Sequence, residues 1–306
     1  MAVRPVSSAL PQNDVWPALP LAEWAATRAT LHMWTQIVGK LRLALSPRLN
    51  HWWEVPFYVT PRGLTTSAIP YAGGIFEAEF DFVAHVLRFT TSQGETKTIA
   101  LAPRSVADFY AEFLATTAAL GIEAKIWPMP VEIPNPIRFD RDTQNASYDA
   151  EYANRFWRAL VAFDGVLKEF RARFIGKASP VHFFWGSFDI AATRFSGSRA
   201  PERPNLDSIT REAYSHEVSS AGWWPGAGEI REPMFYSYSA PEPAGFREAK
   251  IGPAAAFYHS QLNEFLLPYD AVRTATDPRN ALLEFLQTTY EAAANAGRWD
   301  RAALER

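Results

Sequence analysis

Residues 179–197, SPVHFFWGSFDIAATRFSG, decide the fold. The run is rich in aromatic and β-branched residues, the composition of a strand, and it follows the strongest helical pattern in the chain. There Tyr148, Tyr152, Phe156, Leu160, Phe163, Leu167, Phe170 and Phe174 line one helix face. Strand-like runs follow near 214–224 and 234–239. A last helix opens on Asp277–Pro278, an N-cap and first-turn proline, and carries Leu282, Leu283, Phe285, Leu286, Thr289 and Tyr290 to a stop near Gly297. Helix, antiparallel meander, helix is the order of this half.

The earlier half has the same order. Leu21, Trp24, Arg28, Leu31, Thr35 and Val38 recur at helical spacing up to Gly39, read as the stop, and Arg28, His32 and Gln36 form a polar stripe read as a solvated edge. From Lys40 to Leu101 the pattern becomes short strands: KLRLAL, HWWEVPFYVT, GLTTSAI, IFEAEFDF, HVLRFTT and ETKTIAL. Alternation puts Glu77, Glu79 and Asp81 on one face, read as the solvated side of the sheet. Thr91–Gly94 reads as a hairpin turn. Ser105, with Asp108 three residues on, caps a helix that ends at Gly121. The proline-rich segment PMPVEIPNPIRFD (128–140) then reads as an extended linker.

The halves share more than order. Gly39-Lys40 precedes His51-Trp52-Trp53 as Gly176-Lys177 precedes His182-Phe183-Phe184, and EFLATT (112–117) matches EFLQTT (284–289). The expectation is an α+β fold of two pseudo-repeated helix–antiparallel meander–helix halves, with sheets side by side and helices on one face. The boundaries are 1–127 for the first half, 128–146 for the linker and 147–306 for the second.

Composition narrows the function. The 306 residues are 48% hydrophobic and 21% charged, an ordinary globular balance long enough for two cores. A net charge of −3 with scattered Lys and Arg gives no basic stripe, which argues against nucleic acid and anionic membranes as partners. No apolar run approaches the ~18 residues needed to cross a bilayer, and the opening MAVRPVSSALPQNDVWP lacks the apolar core of a signal peptide. The chain has no cysteine, so thiol catalysis and cysteine-ligated metals are absent, and the cytoplasm is the expected location. The anomaly is aromatic content, 14% with 11 Trp.

The combination of HWWEVPFYVTPRGLTT (51–66), SPVHFFWGSFDIAATRFSG (179–197), REAYSHEVSSAGWWPG (211–226) and FLLPYDAVRTA (265–275) resembles a family of bacterial proteins known as a domain of unknown function. The likeness runs roughly from Asp14 to Arg301. It implies a soluble bacterial protein and carries no reaction, cofactor or catalytic residue across.

Chemistry must come from the residues. Read as one strand, 179–197 puts His182, Phe184, Gly186, Phe188, Ile190 and Arg194 on one face and Phe183, Trp185, Ser187 and Asp189 on the other. A buried Asp189 must be paired, with an Arg as the plain partner, or have its pKa raised toward acid/base use. His182 and His216 would converge if their strands pair, and with Asp189 or Glu217 they supply imidazole and carboxylate for acid/base catalysis. The same groups are metal-ligand types, but no ligand spacing such as HExxH is present, and no metal or cofactor is expected. Trp185, Trp223, Tyr236, Tyr238 and Tyr269 offer the flat, polar-tipped walls of a small-molecule cavity, with core packing as the plainer use. Arg62 and Arg194 are candidate carboxylate clamps, or halves of salt bridges. Asp270 reads as an N-cap. No dinucleotide loop, P-loop or GxSxG elbow occurs. The expected function is acid/base chemistry on an aromatic or carboxylate-bearing metabolite. A non-catalytic small-molecule binder and a His/carboxylate metal enzyme are the alternatives.

Overall fold

The computed structural model describes residues 15–202 and 204–306. The proline-rich lead before Val15 and Arg203 of the 199–207 loop lie outside the described residues. Helix α1 (Leu21–Leu45) leads into a first sheet of β1 (Tyr58–Val59), β2 (Gly63–Thr65), β3 (Ile69–Tyr71), β4 (Gly74–Asp81), β5 (Val86–Thr91) and β6 (Thr96–Ala100). Its order is β1-β2-β4-β5-β6, with β3 also on β4. Helices α2 (Val106–Ala119) and α3 (Ala150–Ala172) follow. The second sheet holds β7 (His182–Phe184), β8 (Asp189–Arg199), β9 (His216–Trp224), β10 (Met234–Ala240), β11 (Phe257–His259) and β12 (Glu264–Pro268), in the order β11-β12-β10-β9-β8-β7. Helix α4 (Ser208–Ala213) precedes β9, and α5 (Tyr269–Arg273), α6 (Pro278–Ala296) and α7 (Arg301–Leu304) close the chain. The fold is α+β.

The two sheets lie edge to edge. Phe57, just before β1, and Phe183 in β7 each donate a backbone hydrogen bond to the other's carbonyl, both 2.9 Å long. Both antiparallel sheets therefore run outward from one shared seam. Helices α3 and α6 pack against one face of the second sheet, where Phe163 meets Phe235 and Phe156 meets Trp223. The opposite, outer face carries separate small clusters around Tyr236 and Phe195.

Caps behave as the sequence implies. Ser105 Oγ accepts from the amide of Asp108 at the start of α2, and Asp277 accepts from Asn280 N at the start of α6, with Pro278 at its first turn. The EFLATT and EFLQTT segments both lie mid-helix, and in each a threonine, Thr117 or Thr289, bonds back to the carbonyl four residues earlier.

Several expectations change. Helix α1 does not stop at Gly39; KLRLAL is helical through Leu45. Gly39 is there for close approach, because the indole of Trp185 crosses it and a β-carbon would lie 2.3 Å from that ring. The Arg28–His32–Gln36 stripe is not a solvated edge. His32 and Gln36 are buried, with His32 Nε2 donating to the carbonyls of Gly186 (2.8 Å) and Trp185 (3.1 Å). Gln36 exchanges two 2.8 Å bonds with the backbone of Val131. The 128–146 segment is thus packed rather than free, Phe139 is fully buried, and one hydrophobic cluster spans both halves. Asn50–Trp52 form a 3-10 turn with His51 and Trp52 at φ 58° and 59°, so the level partner of Phe183 is Phe57 and not the aligned HWW stretch. Asp270 lies inside the first turn of α5, whose cap position is Pro268. Asp81, expected on a solvated face, is fully buried between Arg62 and Arg88.

Helix propensity alone favours Gly39→Ala by about 1 kcal/mol, while overpacking against Trp185 costs about 1–3 kcal/mol. Denaturant unfolding of Gly39→Ala is expected to show net destabilisation.

Candidate functional site

The 179–197 stretch is a hairpin, not one strand. Residues 185–188 turn, the Phe188 amide donates to Phe184 O at 2.8 Å, and Phe188 sits at φ 62°. That left-handed backbone is unfavourable for a bulky residue by about 1–2 kcal/mol. It is offset by burying the ring against Phe156 (5.0 Å between centroids) and His32 (4.8 Å). The turn resets parity. His182 now pairs with Ala191 and Phe184 with Asp189, so His182 and Asp189 share the outer face, while Ile190, Ala192 and Arg194 face the helices.

Tyr236 completes the centre of that face. Gly222 stands between Ala191 and Tyr236 in the register, and a β-carbon on it would meet the phenol tip at 2.4 Å. With only hydrogen there, the ring lies across β9 and its hydroxyl donates to Asp189 Oδ2; Ser187 Oγ donates to Oδ1 at 2.5 Å. Asp189 is 7% exposed, and burial pushes its carboxyl pKa up despite these two bonds. Burial and the Asp189 charge drive the Tyr236 hydroxyl well above its ordinary value. Two more carboxyls feel Asp189. Glu264 of β12, half-buried, is raised to about 7 by burial and then by Asp189. Glu132, at the exposed rim with its carboxylate over Gly186, is raised by the protein crowding that group and then by Asp189. Beside Glu264 opens a cleft of about 370 Å³ lined by Tyr214, Tyr238, Glu242, Arg247 and Glu264 among others. The Tyr214 and Tyr238 hydroxyls bond at 2.8 Å, and Tyr238 stacks on Tyr236 at 6.2 Å and 14°.

This geometry sits inside a chain-long family match. The family of unknown function DUF5996 covers residues 16–306. The chain belongs to that family. No curated protein and no solved structure matches it.

The expected site residues of this DUF5996 chain divide. Asp189, Tyr236 and Tyr238 come together. His182 is on the same face, but His216 is six residues along β9 from the level of His182, with the Trp53 and His51 rings between them. The two histidines therefore do not converge. His216 instead lies edge-on to His51, centroids 5.8 Å apart, and His51 Nε2 accepts from Lys177 Nζ at 2.6 Å. Glu217 is turned from that face and accepts from Ser196 at 2.8 Å. Among the described residues no arginine pairs with Asp189. Arg194 is boxed by Phe170 and Tyr290 on the helix side and donates to Phe170 O; Arg62 is bound to Asp81 at 2.6 Å. Neither is a free clamp. Trp223 and Tyr269 are core, Tyr269 bonding Pro17 O at 3.0 Å, and Trp185 packs on Gly39 with its indole donating to Val55 O at 2.8 Å. Among the described residues no group of three or more His, Asp or Glu side chains converges as metal ligands.

Sequence reasoning missed Glu264, Gly222 and Tyr214. A glutamate opening the apolar strand EFLLP was the available signal for the first, and a glycine within the strand HEVSSAGWW for the second. Removing the hydroxyl in Tyr236→Phe leaves a buried carboxyl one donor short. The expected loss is about 1–3 kcal/mol of unfolding free energy, read by denaturant titration, with the fold retained.

Proposed function

We propose that this protein carries out acid/base chemistry on a small molecule bound at the outer face of the second sheet. The supporting observation is the Tyr236 hydroxyl held on buried Asp189 across Gly222, beside a cleft whose wall carries Glu264. In this reading Glu264, raised to about 7, exchanges the proton near neutral pH, and Asp189–Tyr236 is a second, coupled proton-holding pair. The stacked Tyr236 and Tyr238 rings suit an aromatic or flat substrate, and the Glu264, Tyr214 and Tyr238 groups suit hydroxyl or amine substituents. A non-catalytic binder using the same face is the second reading. It is favoured by both Asp189 oxygens already being occupied.

The wider setting is proposed on the same footing. A cytoplasmic bacterial protein without nucleic-acid or membrane partners accords with the absence of cysteine, the near-neutral charge and the lack, among the described residues, of any helix long and apolar enough to cross a membrane. An ancestral duplication accords with the two antiparallel sheets that meet at Phe57 and Phe183.

A metabolite screen by thermal shift tests the site. A ligand that raises the melting temperature of the wild type, fails to do so for Tyr236→Phe and Glu264→Gln, and is converted by the wild type supports the enzyme. Binding without conversion supports the binder, and stabilisation unchanged in both variants places the site elsewhere.

The Glu264 carboxyl also sets a pH dependence. Because its folded pKa lies above the ordinary 4.5, the folded chain holds more protons than the unfolded chain between about 4.5 and 7. Stability therefore falls as pH rises through that window and stays lowered above it. After discounting for solvent screening the loss is roughly 2 kcal/mol. Unfolding titrations at pH 5 and pH 8 are expected to show that difference shrinking in Glu264→Gln.

A further inference from the structure

Beyond the cleft, the outer face ends at the seam in groups whose polar atoms are unanswered. His182 is 0% exposed and neither ring nitrogen has a hydrogen-bond partner. Arg42, from the C-terminal part of α1, is 6% exposed, and its Nε and Nη1 are buried without partners. Both flank Tyr58: the Arg42 guanidinium is 5.8 Å from the centroid of that ring, and the His182 ring 5.6 Å from it, edge-on.

Charge in this neighbourhood is unbalanced. A buried guanidinium keeps its proton and is costly unless countered. The acid that faces it is Glu54, whose Oε2 accepts from the Leu49 amide at 3.1 Å. Its Oε1 has no hydrogen-bond partner and lies 3.8 Å from Arg48 Nε. Arg48 is paired instead with Glu212 Oε2 at 3.0 Å, so Glu54 offsets Arg42 through space without a hydrogen bond to it. Arg171, from α3, adds positive potential at His182 while its own donors go to the carbonyls of Ser179 and Ala178. Burial, and then the charges of Arg42 and Arg171, keep the His182 imidazole neutral, its pKa down at about 3. It therefore offers one N–H and one lone pair, and Arg42 supplies the charge.

We propose that Arg42 and His182 form a subsite for a small oxyanion, the carboxylate or phosphate of a bound molecule, walled by Tyr58 and Trp53. An oxyanion there accepts from the two unanswered Arg42 nitrogens and from the His182 N–H, which satisfies each donor and cancels the excess charge. Tyr58 and the Trp53 ring, 5.9 Å from His182, are half-buried and form the outer wall. Trp53 belongs to the 46–56 segment, which α4 holds through Glu212: its carbonyl accepts from His51 Nδ1 at 3.1 Å and its carboxylate from His51 N at 3.2 Å. This subsite takes over the clamp role that Arg62 and Arg194, both engaged elsewhere, do not fill. It stands independently of the Glu264 cleft, so either can fail alone.

NMR of the histidine side chains in the full-length chain tests it, with inorganic phosphate and acetate as probes and chloride at matched ionic strength as the control. His182→Asn identifies the His182 resonances. Saturable shifts of those resonances with phosphate, acetate or both, absent with chloride, are expected, and the probe that saturates identifies the oxyanion source. Arg42→Lys keeps the charge but loses the fork, and is expected to weaken binding at least tenfold. No saturable shift with either probe overturns the proposal, and so does unchanged affinity in Arg42→Lys.

Discussion

Two backbone hydrogen bonds, exchanged between Phe57 and Phe183, make two sheets into one surface with two unlike faces. They do so where both strands are short, and the flanking rings secure the seam: Phe57 and Phe183 stack at 6.4 Å on the helix side, while Tyr58 and His182 meet on the other. Once the seam is set, the alternation of side chains along β7–β10 decides which groups are sealed beneath α3 and α6 and which face outward. Trp223 and Arg194 are sealed. Asp189, Tyr236, Tyr238, Glu264 and His182 face outward.

Helix α1 holds this arrangement from the end of the hairpin. His32 fixes the 185–186 carbonyls and Gln36 fixes Val131, so one buried polar stripe ties the turn before Asp189 to the segment carrying Glu132. Close approach through glycine does the rest. Gly39 lets Trp185 lie on α1, and Gly222 lets Tyr236 reach Asp189. The same packing that rigidifies the fold therefore crowds carboxyls into a dry, aromatic setting, and that setting raises their pKa values.

The α+β class, the caps at Ser105 and Asp277 and strands β2, β4, β5, β6, β9 and β10 were legible because periodicity and turn chemistry are local, whereas β3, β11 and β12 were not read. What failed depended on partners distant in sequence. Gly39 looks like a stop until Trp185 is placed on it, and Arg28–His32–Gln36 looks solvated until 128–146 is packed against α1. The parity of 179–197 was lost to a four-residue turn inside an unbroken apolar run, which moved Asp189 to the face of His182 and away from Arg194. Of the site, Asp189, Tyr236 and Tyr238 were recognised by type. Glu264 and Arg42 were not, since an isolated Glu in a strand and an Arg in a helix normally face water.

The central claim is that the outer face keeps a carboxyl protonated near neutral pH beside the Asp189–Tyr236 pair. Infrared spectroscopy of the carboxylic C=O stretch, followed from about pH 5 to pH 9 in the wild type and in Glu264→Gln, reads this directly. The account predicts a protonated-carboxyl band that persists past pH 6 in the wild type, titrates near 7 and is diminished in Glu264→Gln. A band that has vanished by pH 6 in the wild type, or one unchanged by the substitution, would contradict it.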